Sequence, residues 1–164
     1  MTSSSENRAD PSGSPRPHIG VTIDGAPVGS LLLQVIRAHA RVGTELLHQA
    51  GLTPPHEIVL LYLDVHGPVP QSDLVHYLGR DRSTVTATLQ AMERAGLVTR
   101  TRSRTDKRAL VVELTEKGRR AVPRAKAAWH ELERRTTRAL TPAQKAELMR
   151  ALTAIRDALN ETST

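Results

Sequence analysis

The feature that most constrains this chain is a helix signalled at both ends and followed at once by a basic hairpin. The run Asp81-Arg82-Ser83-Thr84-Val85-Thr86-Ala87-Thr88-Leu89-Gln90-Ala91-Met92-Glu93-Arg94-Ala95-Gly96 opens on a favoured N-cap and closes on glycine. An N-cap carboxylate accepts from the unpaired N–H groups of the first turn, and glycine tolerates the positive φ that terminates a helix. Val85, Leu89 and Met92 fall at i, i+4, i+7 and form one apolar stripe. Arg82, Ser83, Thr86, Ala87 and Gln90 lie on the other side, so one face packs and the other is offered to something polar.

Two strand-like runs follow, Leu97 to Arg102 and Arg108 to Leu114, joined by the polar turn Ser103-Arg104-Thr105-Asp106-Lys107. The second run alternates, with Leu110, Val112 and Leu114 on one side. From Arg80 to Arg108 eight cations stand against three anions, a net of +5, while the whole chain is +6. Nearly all of the excess charge therefore sits here. Arginine-rich segments are often only solvated surface, but a polar helix face beside a basic hairpin also suits a duplex. The major groove admits a helix, and cations on a narrow hairpin reach phosphates or the minor groove.

Upstream, Gln71 to Leu78 reads as a short amphipathic helix, and Gly79-Arg80 links it tightly to Asp81. Two short helices joined in this way predict a helix-turn-helix, and the hairpin makes it winged. Here the sequence resembles the multiple-antibiotic-resistance regulator (MarR) family of bacterial transcription factors. The resemblance rests on Leu74, Leu78-Gly79, Ser83-Thr84-Val85-Thr86, Ala95-Gly96-Leu97-Val98-Thr99-Arg100 and Asp106-Lys107-Arg108. It continues through Leu114-Thr115-Glu116-Lys117-Gly118, its most specific part, and spans about Leu31 to Leu159.

Among aromatic residues only Trp129, Tyr62 and Tyr77 occur, with no Phe, so the core must be built from Leu, Val, Ile and Ala. The absence of Cys excludes disulfides, thiolate metal sites and Cys nucleophiles, and removes the thiol chemistry used by the peroxide-sensing branch of the resembled family. No apolar run reaches the length of a membrane span and the N-terminus has no secretory h-region, so a cytoplasmic protein is expected, nucleoid-associated when bound to DNA. No G-x-S-x-G, P-loop or G-x-G-x-x-G is present, and Asp64 and His66 read more simply as surface residues than as a hydrolytic pair. An enzyme is not expected, nor a cofactor.

The expected fold is mainly α: a winged helix-turn-helix flanked by N- and C-terminal helices that form a two-fold dimerisation domain. Residues 1–19, rich in Ser and Pro, read as a disordered tail. Residues 20–52 read as an extended arm over 20–29 followed by a first dimerisation helix from Ser30 to Ala50. Residues 53–114 hold the DNA-binding domain, opened by a helix with Pro54 at its first position. Residues 115–164 hold the C-terminal dimerisation helices. The first of these is capped by Thr115 and bent by Pro123. The second opens with the capping box Thr141-Pro142-Ala143-Gln144 and carries the stripe Leu148, Leu152, Ile155, Leu159. Helices this apolar at both ends of a winged domain that fills its own core predict pairing with a second copy, which is also how the resembled family dimerises.

A two-fold dimer places its recognition helices about one DNA turn apart, roughly 34 Å, so the target should be a pseudo-palindrome. Ser83, Thr84, Thr86 and Gln90 are assigned to base edges and nearby phosphates, with Gln90 the candidate for bidentate reading of adenine. Arg82, Arg100, Arg102 and Arg104 are cast as phosphate contacts, and Lys107 on the basic tip is counted among the DNA-binding residues. By resemblance, Asp106 holds Arg108 toward the minor groove. The sequence departs from the family at Ala87, where Arg is common, which shifts base reading toward Gln90 and the threonines. The resemblance further implies a repressor released by a small-molecule effector, with a pocket drawing on Arg37, Arg41, His56, Tyr62 and Trp129. Arginine beside aromatic and imidazole groups would suit an anionic aromatic ligand. Two other readings stay open. His39, His48, His56, His66, His76 and His130 could gather into a Zn site with Glu45 or Glu57, although none shows a strong ligand spacing. A ligand-blind architectural DNA-binding protein would also fit the charge.

Overall fold

The computed structural model describes residues 22–103 and 109–161. The expected tail over residues 1–19 lies outside the described residues, as do Arg104, Asp106, Lys107 and Arg108. The chain divides into two units, Met1–Arg37 and Ala38–Thr164.

In the first unit the N-terminus of helix α1 (Pro27–Gln49) begins earlier than Ser30. Proline suits the first helical turn because its missing N–H has no partner there in any case. Ser30 is not the N-cap but a buried fastener. Its hydroxyl donates to the Ala26 carbonyl (2.8 Å) and accepts from the Ile23 N–H (2.8 Å), folding residues 23–26 into a turn instead of the expected extended arm. Leu31, Val35 and Ile36 remain exposed.

The second unit holds a winged helix-turn-helix. Helix α2 (His56–His66) starts two residues beyond the expected Pro54. Thr53 instead accepts the His56 N–H through its carbonyl (2.8 Å) and pairs its hydroxyl with His56 Nδ1 (3.0 Å). Strand β1 (Val69–Pro70), which the sequence pattern does not announce, leads into α3 (Gln71–Leu78) and then α4 (Arg82–Arg94). β2 (Val98–Arg102) and β3 (Leu110–Leu114) pair antiparallel, with Val98 opposite Leu114 and Arg102 opposite Leu110. β1 joins the other side of β3, giving the order β1-β3-β2. Pro70 is tolerated because β1 is an edge strand. Leu60, Leu74, Val85, Leu89, Met92, Val98 and Val112 are almost wholly buried and form the core beneath α4. The Val85, Leu89, Met92 stripe is thus its packed face.

Helix α5 (Glu116–Thr137) buries Val122, Ala125, Ala128 and Leu132, while Trp129 is partly exposed. Pro123 sits inside it and cannot donate toward the Arg119 carbonyl one turn back. Helix α6 (Pro142–Glu161) opens with the expected reciprocal box: Gln144 Oε1 accepts the Thr141 N–H (2.9 Å) and Thr141 Oγ1 accepts the Gln144 N–H (3.3 Å). No residue of α6 is buried.

The Leu114-Thr115-Glu116-Lys117-Gly118 run has a mechanical explanation. Helix α4 ends in a Schellman motif: the Leu97 N–H donates to the Met92 carbonyl and the Gly96 N–H to that of Glu93, both at 2.9 Å, with Gly96 at φ +70°. Thr115 caps α5 by accepting the Gly118 N–H (3.0 Å) while its hydroxyl donates to the Gly96 carbonyl (2.6 Å). Lys117 Nζ reaches the Ala95 carbonyl (2.7 Å), placing a cation at the negative end of α4. Gly118 permits the approach itself, since a Cβ there would lie 2.1 Å from the Leu97 carbonyl oxygen. Gly118→Ala is accordingly expected to destabilise by about 1–3 kcal/mol through forced backbone displacement. Urea unfolding should show a lower midpoint at an unchanged slope; a midpoint equal to that of the wild type would mean that the junction relaxes freely.

Candidate nucleic-acid interface

α4 presents the face opposite its buried stripe. Arg82, Ser83, Thr84, Ala87 and Gln90 are exposed and Thr86 is half-buried. Asp81 fixes the start of the helix by accepting the Thr84 N–H (2.8 Å) and Thr84 Oγ1 (2.6 Å), with the Ser83 hydroxyl also donating to it. These bonds, led by the Ser83 and Thr84 hydroxyls, hold the Asp81 carboxyl far below the usual carboxylate range. The cap stays ionised wherever DNA could bind.

The capping geometry restricts what the hydroxyls can do. Each has one proton, and those of Ser83 and Thr84 are already given to Asp81, so they can accept from a base amino group but cannot donate to a phosphate without giving up that bond. Thr86 Oγ1 donates to the Arg82 carbonyl (2.7 Å) and accepts from Gln71 Nε2 (2.9 Å), which ties α4 to α3. Gln90 and Arg82 have no side-chain partner among the described residues, so the free polar groups of this face are theirs.

On the wing, Arg102 at the end of β2 is exposed, whereas Arg100 is drawn inward. Its guanidinium makes a bidentate approach to Glu93 Oε2 (3.0 and 2.9 Å), with the arginine side chain only 14% exposed. Arg100 therefore braces the last turn of α4 against β2, a role that its position in an Arg-rich run does not reveal.

A family model described as MarR family matches residues 50–109. An HTH-type transcriptional repressor of Mycobacterium tuberculosis is 30% identical over 129 residues, which cover 79% of this chain and 93% of that one. An uncharacterised HTH-type transcriptional regulator of Bacillus subtilis is 30% identical over 108 residues, 66% of this chain and 68% of that one. The chain belongs to the MarR family. Among solved structures, a mutant MarR from E. coli complexed with operator DNA aligns with a TM-score of 0.73 at 25% identity, over 79% of this chain and 93% of that one. The relatives of this MarR-family chain are transcriptional regulators.

Away from the recognition face, this MarR-family fold contains a cavity of about 270 Å³ bounded by α1, α5 and the start of α2, with His39, Gly43, Glu57, Ile58, Trp129 and Leu132 in its wall. Of the residues expected to hold a ligand, Trp129 alone lines it. His56 is turned to Thr53, Tyr62 stacks on His66 (4.1 Å) and meets Tyr77 at a tilt (4.2 Å), the exposed Arg41 does not line it, and Arg37 belongs to the other unit. The expectation of an anionic aromatic ligand rests on those arginines. The ionisable lining groups are Glu57 and His39 instead. Among the described residues no group of three or more His, Asp or Glu could hold a metal ion, so the geometry lends no support to a zinc site.

Two substitutions separate the roles within the interface. Arg102→Ala should weaken specific and random DNA alike and flatten the slope of log K against log salt by about 0.9 for each phosphate the side chain neutralises, doubled in a dimer. Gln90→Ala should leave that slope unchanged and reduce discrimination by about 1–3 kcal/mol for each base pair read. Affinities for operator and scrambled DNA across a salt series test the division, and exchanged phenotypes would overturn it. Arg100→Ala should instead cost stability, about 0.5–1 kcal/mol by thermal or urea unfolding, with the salt slope unchanged.

Proposed function

We propose that this MarR-family regulator is a repressor that binds a pseudo-palindromic DNA operator as a homodimer and is released by a small-molecule effector. The observation that carries the DNA reading is the division of α4 into a face sunk in the core and an opposite face bearing Arg82 and Gln90, with Arg102 exposed on the adjoining wing. In this reading the polar face is the recognition surface, and it acts at the nucleoid in the cytoplasm. Ser83, Thr84 and Thr86 keep a role as acceptors near base amino groups. Arg104, Lys107 and Arg108, with Asp106 orienting Arg108, complete the basic wing in this reading.

The dimer reading is supported by faces that the single chain leaves uncovered. Leu148, Met149, Leu152 and Leu159 of α6 are exposed, and so are Leu31, Val35 and Ile36 of α1. Apolar faces of this extent usually mark contact with another macromolecule. A second copy is the partner that also sets two recognition helices for a two-fold operator.

The effector reading is supported by the cavity between α1, α2 and α5, which is large enough for a ring-sized molecule. DNase footprinting on DNA flanking the gene tests specificity: protection of one inverted repeat is expected, and uniform protection of all DNA would point to an architectural protein. Leu152→Glu should yield a folded monomer that no longer protects the repeat. The residue is 44% exposed in the single chain, so its own core is spared, while an unpaired charge in the seam should cost several kcal/mol. Sedimentation and gel-shift assays provide the check, and a dimeric, fully binding variant would remove α6 from the interface.

A further inference from the structure

Glu57 is the chemical anomaly of the cavity. It stands in the first turn of α2, is 5% exposed, and Oε2 is buried with no hydrogen-bond partner among the described residues. Burial pushes its carboxyl up, against the pull of the Glu57 and Ile58 backbone N–H groups. Those N–H groups are what a carboxylate ordinarily finds in a first helical turn. They leave Oε2 unexplained. An acceptor held out of water without a donor carries a penalty that a well-placed donor removes.

The surroundings specify what that donor is attached to. Gly43, Leu47, Ile58, Ala128 and Leu132 make most of the wall apolar, and the Trp129 indole stands 6.3 Å from the His39 ring, centroid to centroid. Among the described residues no Lys or Arg lines the cavity. An indole face favours cations, and a buried carboxylate with no Lys or Arg beside it repels anions.

Resting on the reading that this regulator answers to a small molecule, we propose that the cavity selects an amine: a ligand with an apolar, ring-sized body and one cationic nitrogen that donates to the Glu57 carboxylate, whose side chain turns its buried Oε2 into the cavity on binding. Glu57 is then the specificity-determining residue, and Trp129 covers the apolar body. The preference is opposite in sign to one for carboxylated aromatics.

The single tryptophan of the chain is a reporter already inside the site. The test titrates the full-length protein with 3-phenylpropylamine, 3-phenyl-1-propanol and 3-phenylpropionate, which differ only in the polar end, following Trp129 emission excited at 295 nm. The amine should bind the wild type about tenfold or more tighter than the propionate, with the alcohol between, as a charge-assisted bond requires. Glu57→Gln, which keeps the shape, should weaken the amine by about tenfold and leave the alcohol nearly unchanged. Equal binding of amine and propionate to the wild type, no amine binding at millimolar concentration, or an amine affinity indifferent to Glu57→Gln would each overturn the proposal. The wild-type series decides even if the variant folds poorly. DNA release is read separately by operator anisotropy with and without amine. Glu57-dependent amine binding that leaves operator affinity untouched would uphold the site and refute the effector reading.

Discussion

The structure depends on a backbone approach that only glycine allows. Where α5 begins, Gly118 passes so close to the Leu97 carbonyl that any side chain would collide with it. Leu97 is also the residue whose N–H closes the end of α4, and whose carbonyl accepts the Thr115 N–H (3.1 Å). The C-terminus of the recognition helix, the first strand of the wing and the N-terminus of α5 therefore share one knot of backbone bonds. Glu93 and Arg100 add a side-chain brace on the exposed side of that knot. The orientation of the polar face of α4 is thus set relative to both the wing and α5, and a regulator that must present that face needs such stiffness.

Much of this is legible in the sequence because local rules and the tertiary structure agree. Asp81, Gly96, Thr115 and the Thr141 to Gln144 box each mark a helix boundary through bonds spanning four or five residues, and the stripe of Val85, Leu89 and Met92 is buried as its period implies. Where local signals are ambiguous, sequence and structure part. Pro54 has the character of a first helical residue, but a second proline follows it and the helix waits until His56. Ser30 has the character of a cap and is instead bonded back to Ile23 and Ala26. A strand of two residues, one of them proline, has no period to detect, so β1 is invisible in the sequence.

The functional residues divide in the same way. Exposure of Arg82 and Gln90 follows from helical periodicity alone, whereas the capture of Arg100 by Glu93 depends on how β2 lies against α4. The cavity is harder still. Its walls come from three helices distant in sequence, and aromatic or cationic character draws attention to Arg41, His56 and Tyr62, which do not line it. One signal is available: Glu57 falls a turn before Leu60 on the buried side of α2, an acidic residue inside an apolar stripe. Such a position is either paired in the folded chain or waiting for a partner.

The start of α2 also stands between the two sites that regulation would have to connect. Pro54 and Ile58 line the Glu57 cavity, and they also line a second groove shared with Tyr77, Arg80, Thr84 and Thr88 of the helix-turn-helix. The carboxylate that would meet a ligand and two residues that share a groove with α4 therefore lie close together in the chain, from Pro54 to Ile58. Contiguity does not by itself couple two sites, because a ligand shifts an equilibrium only by binding one arrangement better than another. Here the difference has a physical source. An unpartnered Oε2 would gain from any protein or water donor it could reach, whereas a cation in the cavity would hold it and the first turn of α2 in place. Ligand binding would then bias the placement of Pro54 and Ile58 against Thr84 and Thr88, and with it the start of α4, where Asp81 has already committed the Ser83 and Thr84 hydroxyls to the cap.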